Sequence, residues 1–466
     1  MIFRNTQKGQ ALVLIALAAV GLFAFAALAI DGSIVFSDRR HAQNAADTGA
    51  YAAALARVRS KPEAEWKQAA LDRVETNGYV NDSATEVKVY TCLQWKTSPD
   101  NPTGADCKGL PAGAVPDEYV LVRIKSTVKM TFARVIGRYE VINYTDAIVH
   151  AAPIDITEWF DGMAFVSAMP GCPGPGEFGP FDFGGNSTTI VNNSGIFVNS
   201  SCEPAINDTG NSNLITTSQG VCVVGGVPSV NGFYGYDADG NPVPVPPDDH
   251  CGDQIDISEY WMPDSDPALE NYCNTHSGSI TGSGGNYTAT PGEGFGNRPF
   301  PDESPSGVLK LQKGIYCLDE GISLNGNWTI TSDVNGNGLH DPATEGVFFY
   351  IRDGDVSFNG GSNMFLYAMS DPAGGFPPQF LDYLFFIPMS NPAEVDITGN
   401  NGSTFTGMVL APTSAIQVIG NGDALHLYTQ IIGYNTRISG SGTIDITYDP
   451  NSVPPAIIMP KISPTE

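Results

Sequence analysis

The 466-residue chain carries 23 Lys and Arg against 50 Asp and Glu, a net charge of −27 that is unevenly spread. Residues 1–150 hold 17 basic against 15 acidic residues, whereas residues 151–466 hold 6 against 35. So acidic a distal surface repels phosphate backbones and anionic lipid, which excludes nucleic acid as a partner and favours divalent cations as guests.

The first element is residues 11–30, ALVLIALAAVGLFAFAALAI, an unbroken apolar run. Twenty such residues make a helix long enough to cross a bilayer. Arg4 and Lys8 precede the run, while Arg39 and Arg40 behind it are offset by Asp31 and Asp38. The positive-inside bias therefore puts the N-terminus in the cytoplasm and everything beyond residue 31 outside. A cleaved secretory signal is the competing reading, since a basic start and an Ala27-Leu28-Ala29 triplet are present. The run is longer than a usual signal core, and the segment behind it continues as helix.

From Ser33 to Arg59 there is no Pro, and Ala42, Ala45, Gly49, Ala52, Ala53 and Ala56 draw a small-residue stripe along one helix face. Such a stripe admits close helix packing against other membrane subunits, or else an ordinary local core. Ser60-Lys61-Pro62-Glu63 then stops and restarts the helix, with Ser60 the candidate capping residue, and a second helix runs to about Gly78. EVKVYTC (86–92), EYVLVRIKSTV (118–128) and YEVINYTDAIVH (139–150) read as strands. Residues 32–154 thus form a small α+β stem.

The segment KGQALVLIALAAVGLFAFAALAIDGSIVFSDRRHAQNAADTGAYAAALA, with Gly9-Gln10 opening the apolar helix, Asp31-Gly32 closing it and Gln43-Asn44-Ala45-Ala46-Asp47 in the next stretch of helix, resembles the N-terminal module of TadG-like tight-adherence (Flp) pilus-assembly proteins. TFARVIG and DAIVHAA are similar to the end of that module, so the likeness covers about residues 5–152. It implies a single-pass envelope protein of a surface-fibre system, whose partners are other pilus or envelope subunits. Two family features are missing. If Gly9 were a prepilin cleavage site, the fifth residue after it would be Leu14 rather than Glu, against a role as major pilin. Asp302-Glu303-Ser304-Pro305-Ser306 has the spelling of a von Willebrand A metal motif, but Pro305 interrupts it and no strand feeds it.

All eight cysteines, at 92, 107, 172, 202, 222, 251, 273 and 317, lie beyond the apolar run, and in an exported compartment an even number favours disulfides. Cys92 and Cys107 flank a turn-rich insert between two strands and are the best single pairing. The other six leave fifteen connectivities open. Zinc is the rival reading, yet no C-x-x-C pair exists and His250 beside Cys251 stands isolated.

In the acidic part, GNSTTIVNNSGIFV (185–198) and GNSNLITTSQGVCVV (210–224) match at an offset of 25 residues, DEGISLNGN (319–327) and DGDVSFNGG (353–361) at 34, and VDITGNN, IQVIGNG and TRISGSG at about 20. Short β-branched strands punctuated by Gly and Asn at coil-length offsets predict a right-handed parallel β-helix, or solenoid, over residues 155–449. An immunoglobulin-like sandwich also uses short strands but needs no internal repeat. Residues 226–305 read as long disulfide-pinned loops, and 450–466 as a Pro-rich tail. The expected organisation is a cytoplasmic stub 1–10, a transmembrane helix 11–31, the stem, the mainly β ectodomain and that tail.

One local site stands out. Asp333, Asn335, Asn337, Leu339 and Asp341 have the D-x-N-x-N-G-x-x-D spacing that turns alternate oxygens onto one Ca²⁺, with Gly338 permitting the reversal and Leu339 offering its carbonyl. The twelfth position is Thr344, with Glu345 beside it as the further acidic ligand. A plain Asn/Gly turn is the bland alternative, and it is the preferred one for the weaker echo Asp237-Ala-Asp239-Gly-Asn241. The Asn sequons at 186, 192, 199, 207, 286 and 327 arise from composition and carry no function. The head has only six basic residues and scattered histidines, none locally paired for acid–base work, so no catalytic residue is assigned. The function read from the chain is binding: an anchored component presenting its head to pilus subunits, surface glycans or other cells. An anchored polysaccharide lyase or hydrolase on a β-helix is the alternative.

Overall fold

The computed structural model describes residues 10–59, 61–152, 155–174, 178–227, 231–301, 307–324, 328–358, 362–371, 376–399, 402–422, 424–459 and 462–464. Arg4, Lys8, Gly9, Ser60, the Asp302–Ser306 string, the sequon at Asn327 and the final residues of both 34-residue phrases lie outside the described residues. The chain divides into two compact units, residues 1–155 with 458–466, and residues 156–457.

The first unit opens on one continuous helix, α1 (Gln10–Val58). No Pro or cap interrupts it after the apolar run, so membrane segment and stem helix are one rod. Ten large apolar side chains between Val13 and Ile30 stand exposed. Further on the helix changes surroundings: Ala42, Ala45, Ala46, Ala50, Ala53 and Ala54 are buried against Trp66, Ala70 and Val74 of α2 (Glu63–Thr76) and a sheet of Val and Ile. The small-residue stripe is therefore spent inside the stem, which corrects its reading as a face for other subunits. Gly49 lies where α1 and α2 come closest, since a Cβ there would stand 2.6 Å from Val74 Cγ2. Pro62 occupies the N-cap position of α2. A capping box appears instead at Thr91 and Gln94, opening the short helix Cys92–Lys96.

The sheet comprises β1 (Thr85–Thr91), β2 (Tyr119–Lys129) and β3 (Glu140–Ala151), antiparallel throughout, and the returning tail segment Ile462–Pro464 adds a fourth strand beside β3. The Pro-rich tail thus completes the stem. Cys92 and Cys107 are bridged.

The second unit is mostly β, built from a twelve-stranded and a fourteen-stranded sheet whose strands pair mainly in parallel. Parallel pairing rules out the antiparallel sandwich. Strands come in threes: Val308–Leu311, Gly314–Leu318 and Ile322–Leu324 pair with Thr329–Thr331, Val347–Ile351 and Val356–Phe358, and these in turn with Asn363–Tyr367, Tyr383–Phe386 and Glu394–Gly399. The sequence offsets reappear as pairing registers, Thr188 beside Asn213 and Gly195 beside Gly220 at 25, Ile322 beside Val356 at 34, and Ile416 beside Thr436 at 20.

The strands do not stack in chain order. Thr443–Thr447 and the two halves of Ile431–Gly440 pair in parallel with Thr188–Asn192, Phe165–Ser167 and Phe181–Phe183. The unit's first strands therefore sit in mid-stack beside its last ones, and the chain reaches one end before resuming at the other. Both ends of the twelve-stranded sheet finish in antiparallel hairpins, Phe233–Tyr236 with Pro242–Pro244 and Ser279–Ser283 with Asn286–Thr290. Prolines on an edge strand cannot donate to another chain, which blunts that edge. Residues 226–305 also contain a helix, Pro267–Thr275, and three further disulfides join Cys172 to Cys202, Cys222 to Cys251 and Cys273 to Cys317.

Candidate functional site

Three places combine positioned polar groups with a plausible task. In the stem, α1 leaves its apolar run at Asp31, whose buried carboxylate accepts the backbone N–H groups of Thr131, Phe132 and Ala133 at 3.0, 3.0 and 2.6 Å. Two turns on, Asp38 accepts from Ser126 Oγ (2.6 Å), Asn143 Nδ2 (2.7 Å) and Tyr79 Oη (3.1 Å). Gln43 donates through Nε2 to Asp47 (2.9 Å) and to the Asp146 carbonyl (3.1 Å). Charge-assisted bonds at Asp31 and Asp38, and the neutral Gln43 bond to the Asp146 carbonyl, hold α1 to the rest of the stem at three heights. The Asp31-Gly32 and QNAAD residues quoted for the family likeness thus include the groups that hold the helix. Composition alone gave no sign of their partners, which lie about a hundred residues away in sequence.

In the head, the loop 333–345 folds around two buried carboxylates. Asp333 accepts from Gly336 N (2.6 Å), Gly338 N (2.7 Å) and Asn337 N (3.3 Å), and Glu345 accepts from Asn335 Nδ2 (3.1 Å) and Asp341 N (2.9 Å). Burial would raise the Asp333 carboxyl, but the Gly338, Gly336 and Asn337 amides hold it below its ordinary value. Asn337 Oδ1 accepts from Leu339 N at 2.8 Å, and Asp341 binds Thr344 Oγ1 at 2.8 Å. His340 stacks on Tyr367 with centroids 4.7 Å apart, and its buried Nδ1 lies 3.9 Å from Glu345 without a hydrogen bond. Burial lowers this imidazole's pKa, against the pull of the Glu345 and Asp341 carboxylates.

The residues picked out by spacing therefore converge on one loop. Among the described residues no group of three or more His, Cys, Asp and Glu side chains is placed to hold a metal. A calcium ion here would need the Asn amide and Leu339 carbonyl oxygens beside the carboxylates, which suits a hard cation. Two lysines that no motif singles out border the loop: Lys310 donates to Val334 O (3.0 Å) and Lys313 to Pro342 O (2.7 Å). Both ammonium groups are bonded to backbone carbonyls of the loop and so help to hold its ends. Asp237, by contrast, accepts from Asp239 N and Asn241 N within a hairpin turn, the bland reading.

The third place is an outward ladder on the head. Ser323, Ser357, Asp396, Gln417, Arg437, Asp182 and Asn207 occupy successive parallel strands in register. Beside it, Phe178, Glu394, Asp396, Gln417 and Arg437 line a groove of about 130 Å³, with the Arg437 guanidinium 5.0 Å over the Phe178 ring. Burial, and then Glu394 and Asp355, push the Asp396 carboxyl up.

Residues 9–57 match the family model described as Tad, putative Flp pilus-assembly TadE/G-like. Over that stretch the chain is similar to the Tad family. The matched stretch ends within one residue of the end of α1 and so includes the exposed apolar run, Asp31, Asp38 and the Gln43–Asp47 pair. Its helix is long and apolar enough to cross a membrane. No curated protein and no solved structure matches the chain.

Proposed function

We propose that this protein is a single-pass, extracytoplasmic component of a Tad/Flp-type pilus or surface-adhesion apparatus. Its N-terminal stub is cytoplasmic, α1 crosses the membrane, and the stem carries the acidic head outside for binding or assembly. The observation that supports this most is the coincidence of the Tad match with an apolar run on the same helix, none of whose described residues before Asp31 is buried. Four disulfides suit an oxidising exterior. The head is a right-handed parallel β-helix in this reading, supported by strands recurring in threes with parallel partners. Its ladder and Phe178 groove offer a sugar chain both polar edges and an aromatic face. The loop ligands Asp333, Asn335, Asn337, Leu339, Asp341 and Glu345 would hold a structural Ca²⁺, which neutralises the buried carboxylates and stiffens the loop.

In the native host, the full chain should resist alkaline extraction from membranes, and its C-terminal portion should be cut by protease added outside. Deleting residues 1–57 should abolish membrane retention and surface fibres together. Fibres unaffected by that deletion, or a head shielded from protease, would end the proposal. An anchored carbohydrate-active enzyme is the second reading, favoured only by the raised Asp396 at the groove. A new reducing end after incubation with acidic and neutral glycans would establish it.

A further inference from the structure

The hairpin joining β2 to β3 ends in a tip, residues 130–139, with no buried purpose for its largest side chains. Ala133–Ile136 forms one 3₁₀ turn, closed by Gly137 at φ 84°. Around it Val135 is 90% exposed, Ile136 72%, Tyr139 65% and Phe132 44%. Lys129, Arg134 and Arg138 are exposed among them. Four large apolar groups within residues 129–139, interleaved with three cations, are costly to hold in water.

Their height along α1 is fixed. The three amides at the start of the tip are bonded to Asp31, the residue directly after the apolar run. Helical side chains lean toward the N-terminus, so the Asp31 carboxylate reaches back to the last turn of that run. Twenty helical residues span about 30 Å, the thickness of the hydrocarbon core. A tip clamped to the end of such a segment lies at headgroup depth. Tyr with Lys and Arg is the composition found there, the ring at the boundary and the cations on phosphates. The near-neutral stem meets no repulsion from anionic lipid, unlike the acidic head.

We propose that the β2–β3 tip is a membrane-interface foot: Val135 and Ile136 enter the outer leaflet of the bilayer that α1 crosses, and Arg134 and Arg138 bind its lipid phosphates. The foot would stop the stem from swinging about its single helix. This rests on the membrane-anchored reading above, and the test separates the two.

The full chain is reconstituted in vesicles of phosphatidylethanolamine and phosphatidylglycerol, with a fluorescent label on Ile136→Cys. All eight native cysteines are bridged, so the new thiol reacts alone. Val115→Cys, exposed near the opposite end of the hairpin, is the control. The Ile136 label should emit to the blue, resist aqueous iodide several-fold better than the Val115 label, and be quenched by nitroxide lipid. Adding Asp31→Ala should erase that protection while the protein stays in the membrane. Should Ile136→Cys fail to fold, Val135→Cys reads the same depth. Equal iodide quenching at both positions overturns the foot, as does protection that appears only when other pilus subunits are added. Release of the protein by alkaline carbonate would instead overturn the anchor.

Discussion

Stem and head bury their cores with opposite kinds of side chain. The stem lays an alanine face on Val and Ile, and the two helices approach until only a glycine fits at residue 49. The head stacks rings: Tyr316, Phe349 and Phe385 succeed one another on neighbouring parallel strands, with centroids 5.4 and 5.1 Å apart. Parallel in-register pairing puts like positions above one another, so one aromatic recruits the next. A helix on an antiparallel sheet has no such repeat and gains by closeness instead. Charge divides them too. The stem pairs Arg123 with Asp146 and Arg57 with Asp117, while in the head Arg352 alone meets Glu270, Glu293 and Asp319.

The two designs should fail differently. Phe385→Ala leaves a cavity between rigid neighbours and should cost about 4 kcal/mol, lowering only the head transition in calorimetry of the full chain. Gly49→Leu forces a side chain into Val74 and the Ala70 carbonyl and should cost about 3 kcal/mol, lowering only the stem transition. A shared loss in either case would break the division into two separately packed units.

The repeats were legible because parallel pairing writes its register into sequence spacing: offsets of 25, 34 and 20 residues are distances between strand partners. The stem strands were legible from their β-branched and aromatic residues, and along β1 Val87, Val89 and Thr91 are buried. Stacking order was not. Nothing local marks that Ile431 lies beside Phe165, because that contact spans more than half the chain. The tail strand at 462–464 was hidden by its prolines, and Lys310 and Lys313 by their placement in an ordinary strand and the short link after it. The stripe on α1 was visible while its occupant was ambiguous, since Trp66 and Val74 serve as well as a foreign helix.

The proposed calcium loop would add a third contrast, confined to the head. At a free concentration a hundred times its dissociation constant, a bound ion stabilises by about 2.7 kcal/mol. EDTA should then lower the head transition by several degrees and leave the stem transition in place. A melt unchanged by chelation would leave the loop to its own hydrogen bonds and to the two lysines.

The smallest expected effect separates the units by pH. Burial raises the Asp382 carboxyl to about 6, and it raises Asp264 and Asp396 in the same direction. A carboxyl raised on folding favours the protonated native state, so its contribution is complete below about 4 and is lost as pH climbs through 6. In the stem the signs reverse. Glu86 and Asp100 are held below their ordinary values by hydrogen bonds from Lys88, so their contribution fades only when pH falls below about 4. Between pH 4 and 6 the three raised carboxyls should therefore add stability to the head on acidification, opposed by His340, whose lowered pKa favours the neutral native ring, while the stem stays level. Asp382→Asn keeps the shape without the charge. Discounted for solvent screening, it should add about 1 kcal/mol to the head at pH 7 and nothing at pH 4. An equal gain at both pH values would mean that the substitution acts through packing, and the buried charge would lose its claim on the head's pH response.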